Sequence, residues 1–203
     1  MIEVHHLNNS RSQRILWLLE ELGLPYQLVK HQRNPETFLA PDSLKAIHPL
    51  GKSPVIRDGA QVVIESGAII EYILRRHGGG RLAPAESSPE FVRYLQWMHY
   101  AEGSAMLPLM LALYLRRLGD AGEPLRPRVT SEIENHIGYL NAELDASDYF
   151  VGDEFSAADI QLSFVVQMAR LLHGLEKFSN LARFVERMEA RPAYKRALER
   201  GGP

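Results

Sequence analysis

Two short stretches of this 203-residue chain place side-chain hydroxyls where helices begin. The first is Asn8-Asn9-Ser10-Arg11-Ser12, which runs into the apolar-periodic segment QRILWLLEELGLPY. The second is Glu65-Ser66-Gly67-Ala68-Ile69, which follows the run QVVIE. A hydroxyl in such a place can accept one of the helix's orphan backbone N–H groups. It can also donate a hydrogen bond to an anion drawn to the positive end of the helix. Between the two stretches lies Lys52-Ser53-Pro54-Val55. The chain has no cysteine. That excludes a disulfide staple, a thiolate metal site and a mixed disulfide with a substrate, so any thiol chemistry must come from a bound small molecule. The histidines (His5, His6, His31, His48, His77, His99, His136 and His173) form no metal-ligand spacing such as HExxH and read as surface or core residues.

The elements that must position these residues follow from periodicity. Ile2 to Leu7 reads as a strand. Ile15, Leu18, Leu19 and Leu22 recur at helical spacing, and Gly23-Leu24-Pro25 stops that helix. Tyr26 to Lys30 reads as a second strand, and 35–48 as loop with a helical turn or two. PVIRD, Asp58-Gly59 and QVVIE form a hairpin, since glycine tolerates the positive φ of such turns. Pro54, at the first position of its strand after a loop, is better explained by a special turn, a cis bond being one such turn, than by an edge. Ser66 is expected to cap a helix over 67–77. The pattern is β-α-β-α-β-β-α. A linker of three glycines and LAPAESSPE follows, and beyond it no strand signal is convincing. Phe91 to Leu118 is one long helical pattern that Pro108 should kink. Further helices are expected near 128–144, after Ser156, near 181–190 and after Pro192. The expected fold is an α/β domain followed by an all-α domain, with boundaries at 1–79, a linker at 80–88 and helices over 89–203.

Composition suits a soluble globular protein. Hydrophobic residues make up 45% of the chain, enough for a real core. A net charge of −2 gives no basic footprint for nucleic acid. The N-terminus, MIEVHHLNN, has no charged and apolar leader, and no apolar run approaches the ~20 residues that span a bilayer. The expected location is therefore cytoplasmic.

Four elements together resemble the cytosolic glutathione S-transferase family: the Asn8–Ser12 loop with its helix, Lys52–Val55, Glu65–Ile69, and Phe155-Ser156-Ala157-Ala158-Asp159-Ile160. They occur in family order and at family-like spacing across nearly the whole chain. HPLGKSP, Tyr100-Ala101-Glu102-Gly103-Ser104 and ADIQLSF look closest to a fungal and bacterial branch with serine-type active sites. The resemblance implies a thioredoxin-like N-terminal domain that binds glutathione and an all-helical domain that supplies the hydrophobic substrate site. It also implies a homodimer that needs no metal. The absence of cysteine excludes the family's cysteine-based branches.

On that resemblance, glutathione is the co-substrate. Its thiol resembles a free cysteine, with pKa near ~8.5, and lowering that by two units needs only about 2.7 kcal/mol. A hydroxyl donor and a helix N-terminus together can supply this. Aligning Arg14 with the family's basic residue early in the first helix puts the catalytic serine at Ser10, with Asn9 and Ser12 as competitors. Ser10 could instead only cap the helix. No partnered base lies near it in the sequence. Glu65 and Ser66 match the motif that holds the γ-glutamyl end. Ser53, beside Pro54, matches the position whose main chain pairs with the cysteinyl unit, and Lys52 fits the glycyl carboxylate or is a solvated lysine.

Ser156-Ala157-Ala158-Asp159 reads as a structural capping box. Met106, Met110 and Tyr114, four apart, could line the hydrophobic pocket or belong to the core. Phe91, Tyr94, Trp97 and Met98 could serve a dimer interface or the core equally well. The implied function is conjugation of glutathione to hydrophobic electrophiles, with glutathione-dependent hydroperoxide reduction as a further activity. The alternative is a non-catalytic binding or scaffold protein that keeps the fold.

Overall fold

The computed structural model describes residues 1–202. The first strand, β1 (Ile2–Leu7), lies at the centre of a four-stranded sheet with β2 (Tyr26–His31) on one side and β3 (Val55–Asp58) on the other; β4 (Gln61–Ile64) forms the far edge. β1 runs parallel to β2 and antiparallel to β3, with Val4 opposite both Leu28 and Ile56. The β3–β4 hairpin turns through Gly59–Ala60, one residue later than the expected Asp58–Gly59, since Asp58 still pairs with Gln61; Gly59 takes φ +60°. Helix α1 (Ser12–Leu22) joins β1 to β2 and ends at Gly23 in the left-handed region. Helix α2 (Ser66–His77) follows β4. The segment 35–48 is loop with one 3₁₀ turn, Asp42–Leu44, as expected, and that turn drops Leu44 into a cluster with Leu7 and Val55. This is the expected thioredoxin-like arrangement.

The remaining helices are α3 (Glu90–Tyr100), α4 (Met106–Leu118), α5 (Arg126–Glu143), α6 (Ala157–Leu172), α7 (Ser179–Ala190) and α8 (Pro192–Gly201). The long pattern over 91–118 breaks earlier than expected. Pro108 sits buried inside α4, and a π turn over Ala101–Ala105 separates α3 from α4. Proline has no N–H to give the carbonyl four residues back and its ring crowds that carbonyl, here Ser104; a widened turn relieves both problems. Tyr94, Trp97 and Met98 are buried and Trp97 Nε1 donates to Phe150 O at 2.9 Å, so the apolar start of α3 packs into its own unit.

The chain divides into two compact units, and the division differs from the expected boundaries. Met1–Leu82 form one unit together with the segment from Glu189 onward, and Ala83–Met188 form the other. Helix α8 therefore belongs with the sheet. It packs along α1, with Ala193, Tyr194 and Ala197 buried and Trp17 edge-on to Tyr194 at 5.1 Å. Arg191 grips Glu21 with two bonds, at 2.6 and 3.0 Å. Arg196 and Arg200 donate to Glu20 at 2.8 and 3.1 Å, and Tyr26 adds a third bond to that carboxylate. Burial alone would raise the Glu20 pKa, but the hydrogen bonds from Arg196, Tyr26 and Arg200 outweigh it and hold the carboxyl below its ordinary value.

In the helical unit, α6 opens with the expected capping box. Ser156 Oγ accepts from Ala158 N, and the Asp159 carboxylate accepts from Ser156 N and from Phe150 N. No helix among the described residues is long and apolar enough to cross a membrane.

Candidate functional site

β1 delivers the chain into the 8–11 loop, and Arg33 holds that loop. Its Nε donates to Asn8 O at 3.1 Å, its Nη2 to Asn9 O at 3.2 Å, and its own backbone N–H to Asn8 Oδ1 at 2.9 Å. Asn9 adopts φ +52°, which asparagine tolerates better than most residues. The three candidates in this loop then separate by depth. Asn9 is exposed, Ser10 is 7% exposed and Ser12 is fully buried.

Ser12 faces back into the unit. Its Oγ accepts the Leu7 N–H at 3.2 Å and lies 2.9 Å from His6 Nδ1 and 2.7 Å from Ser10 Oγ. Ser10 Oγ also accepts the Ser12 N–H at 3.3 Å. A histidine thus stands one hydroxyl away from Ser10, where the sequence showed no base. It reaches Ser12 and not Ser10. Burial, reinforced by the charge of Lys30 and partly offset by the Gly201 backbone, pushes the His6 pKa down to about 4, so the ring is neutral at pH 7. Strand alternation is the signal that could have found it. Ile2, Val4 and His6 share one side of β1, while Leu7 packs on the other against Leu44 and Val55.

Ser66 is buried at the first position of α2 and does not cap it. The cap residue is Glu65, at φ +68° and with no side-chain cap bond, because Ser66 is already helical. The Ser66 hydroxyl accepts from Arg14 Nη1 at 3.2 Å instead. Arg14 is 1% exposed, so this bond ties α1 to the start of α2 inside the unit. With an acceptor position so filled, the Ser66 proton is available to an anion at the helix N-terminus.

The Ser53–Pro54 bond is cis, Pro54 is buried, and Ser53 Oγ donates to His5 O at 3.0 Å, which ties that segment to β1. Gly51 just before it takes φ +57°, and a Cβ there would stand 2.7 Å from Lys45 Cγ. Lys52 and Glu65 are exposed. Ser10, Ser53 and Ser66 are therefore all anchored on β1 and α1 or bonded to them. Met106, Met110 and Tyr114 lie on α4 of the other unit, and this stripe runs from core to solvent: Met106 is 2% exposed, Met110 half-buried and Tyr114 53% exposed.

Residues 10–76 match the glutathione S-transferase N-terminal domain and residues 100–192 the glutathione S-transferase C-terminal domain. Glutathione S-transferase 3 of Schizosaccharomyces pombe is 33% identical, over 98% of this chain and 88% of its own length. Glutathione S-transferase 1 of Saccharomyces cerevisiae is 30% identical, over 98% and 95%. A crystal structure of a glutathione S-transferase from Actinobacillus pleuropneumoniae superposes with a TM-score of 0.92 at 34% identity, covering 99% of this chain and 93% of that one. The chain belongs to the glutathione S-transferase family.

Proposed function

We propose that this protein is a serine-type glutathione transferase. It holds glutathione on Lys52, the Ser53–Pro54 main chain, Glu65 and Ser66. The Ser10 hydroxyl donates to the sulfur and keeps it as thiolate for attack on a hydrophobic electrophile. The observation that carries this reading is the pair of hydroxyls, Ser10 and Ser66, set at the starts of α1 and α2 and bound into one unit by the Arg14–Ser66 contact. Ser66 and the α2 N-terminus suit a carboxylate, Glu65 suits an ammonium, and Lys52 suits a second carboxylate. Ser10 then faces the part of the tripeptide that carries the sulfur. It acts as a donor, not as a nucleophile, because its neighbour Ser12 and not Ser10 contacts the histidine.

A thiolate held this way also attacks a hydroperoxide oxygen, and a second glutathione resolves the sulfenic product without a protein cysteine. The electrophile pocket draws on Met110 and Tyr114, with Met106 behind them. Cytoplasmic location and a homodimer complete the reading. A scaffold role is the weaker alternative, because a scaffold has no use for a hydroxyl facing the thiol.

The test is titration of bound glutathione by its ultraviolet thiolate absorbance, alongside calorimetry. Ser10→Ala should leave glutathione affinity nearly unchanged, raise the pKa of the bound thiol and lower turnover ~10- to 1000-fold. Ser66→Ala should weaken affinity. A Ser10→Ala protein that titrates like wild type, or the absence of binding heat at millimolar glutathione in the wild type, removes the assignment.

A further inference from the structure

We infer that His6, acting through Ser12, orients the Ser10 hydroxyl, and that His6 and Ser12 are positioning residues for thiolate stabilisation. The inference rests on the role given to Ser10 above. It follows from counting protons along a buried chain of three side chains.

A serine hydroxyl has one proton to give and two places to accept. Ser12 Oγ accepts the Leu7 N–H at 3.2 Å, and its second partner on the β1 side is His6 Nδ1 at 2.9 Å. If His6 carries its proton on Nδ1, both acceptor places of Ser12 are filled. Its own proton must then go outward, and the nearest acceptor is Ser10 Oγ at 2.7 Å; Leu7 O, at 3.3 Å, is the poorer choice. Ser10 Oγ now accepts the Ser12 hydroxyl together with the Ser12 N–H at 3.3 Å. Both of its acceptor places are filled as well. The single proton left on Ser10 has no acceptor in the chain and is free to meet an anion.

The opposite tautomer reverses every arrow. With the proton on Nε2, Nδ1 takes the Ser12 proton, Ser12 takes the Ser10 proton, and Ser10 offers a sulfur only lone pairs. The environment of the ring decides between the two. Nε2 is buried and meets no partner in hydrogen-bond geometry; the Gly201 backbone, which raises the ring's pKa, lies outside that geometry. An orphaned buried N–H is rarer in proteins than an under-used acceptor, so the proton belongs on Nδ1, where Ser12 receives it. An imidazolium would also donate from Nδ1 and leave the same order of bonds, so only the neutral Nε2–H tautomer reverses it. Burial keeps the ring neutral at pH 7, and part of that burial comes from Gly201 near the end of α8: a Cβ at Gly201 would stand 3.2 Å from His6 Cε1.

The experiment has two independent readouts. In the wild-type protein, long-range ¹H–¹⁵N correlation spectra of the histidine rings report which His6 nitrogen is protonated. The expected result is Nδ1–H at pH 7, and Nε2–H overturns the inference. The second readout is the bound-thiol titration on Ser12→Ala, His6→Leu and His6→Asn. Asparagine keeps a nitrogen donor near the place of Nδ1, whereas leucine has the same shape and no donor. Ser12→Ala and His6→Leu should each raise the bound-thiol pKa by about one unit, a tenfold change in thiolate fraction near neutrality. The KM for glutathione should move far less. His6→Asn should restore most of the shift, and the double variant should be no worse than Ser12→Ala alone, because His6 acts only through Ser12. If Ser10→Ala shifts the titration but Ser12→Ala and His6→Leu do not, the relay is wrong and the role of Ser10 stands. If Ser10→Ala itself shifts nothing, the underlying reading is wrong and the relay falls with it.

Discussion

At the scale of single residues, the chemistry rests on where protons sit. His6 and Asp159 are the two buried groups displaced furthest across the acid range, and they pull stability in opposite directions. The folded His6 stays neutral down to about 4, while in the unfolded chain it titrates near 6.5. Between those values the unfolded chain binds the extra proton, so this term destabilises the fold as pH falls. Desolvation pushes the Asp159 carboxyl up to about 6, against an ordinary value of 3.8, despite the bonds it accepts from Phe150 and Ser156. Here the folded state binds the extra proton, so stability rises as pH falls through the same window. The two terms offset each other in the wild type. His6→Asn should therefore cost stability at pH 7 and cost clearly less at pH 5, read as the difference in urea midpoint from wild type at each pH. A gap that does not change with pH would mean that His6 is not held neutral. From the sequence, Ser10, Ser53 and Ser66 were legible as hydroxyls at structural transitions, because those positions are set by local pattern. The bonds from His6 to Ser12 and from Arg14 to Ser66 were not. The first needs the side of a strand to be known and the second needs two helices, 52 residues apart in the chain, to be packed together.

At the scale of elements, local rules succeeded where one segment decides its own shape. The Ser156–Asp159 capping box is present as the residues required, and the β3–β4 hairpin is present with its turn shifted one residue, to Gly59–Ala60. They failed where a neighbour overrules. Ser66 looked like a cap, yet the chain enters the helix one residue early because Glu65 takes a left-handed turn. Pro108 looked like a kink, yet the strain is relieved upstream, in the π turn at Ala101–Ala105. The capping box does more than end a helix. One oxygen of Asp159 takes the Phe150 N–H, and the other takes both the N–H and the hydroxyl of Ser156. The Phe150 carbonyl in turn takes Arg93 Nε and Trp97 Nε1. α6, the loop at Phe150 and α3 are thereby joined through one carboxylate. Asp159→Ala would strand two buried backbone N–H groups, each costing about 1–3 kcal/mol. The expected loss is about 2–5 kcal/mol in urea unfolding, with Asp159→Asn milder because one acceptor oxygen remains. A loss below about 0.5 kcal/mol, the range of an ordinary surface change, would show that the cap is dispensable.

At the scale of the whole molecule, the least legible feature is the return of the chain end to the first unit. Nothing local to Pro192–Gly201 distinguishes a helix that belongs with α3 to α7 from one that belongs with α1. The information lies in pairs separated by 170 residues or more: Glu21 with Arg191, and Glu20 with Arg196 and Arg200. Arg200 also lies over the Tyr26 ring at 3.9 Å. These contacts bring Gly201 down onto α1 and the His6 ring, and the closeness requires a residue without a side chain. A Cβ at Gly201 would meet Leu16 Cδ1 at 2.5 Å, Gln13 Oε1 at 3.2 Å and His6 Cε1 at 3.2 Å. Gly201→Ala should therefore lift the end of α8 and admit water to the ring. Desolvation is the chief reason that His6 titrates near 4, so its pKa should climb back toward 6.5. The ring C–H resonances of His6, followed by NMR against pH in the folded variant, read this directly. A Gly201→Ala protein in which His6 still titrates near 4 would show that α8 does not seal the ring, and that β1 and α1 alone keep it dry.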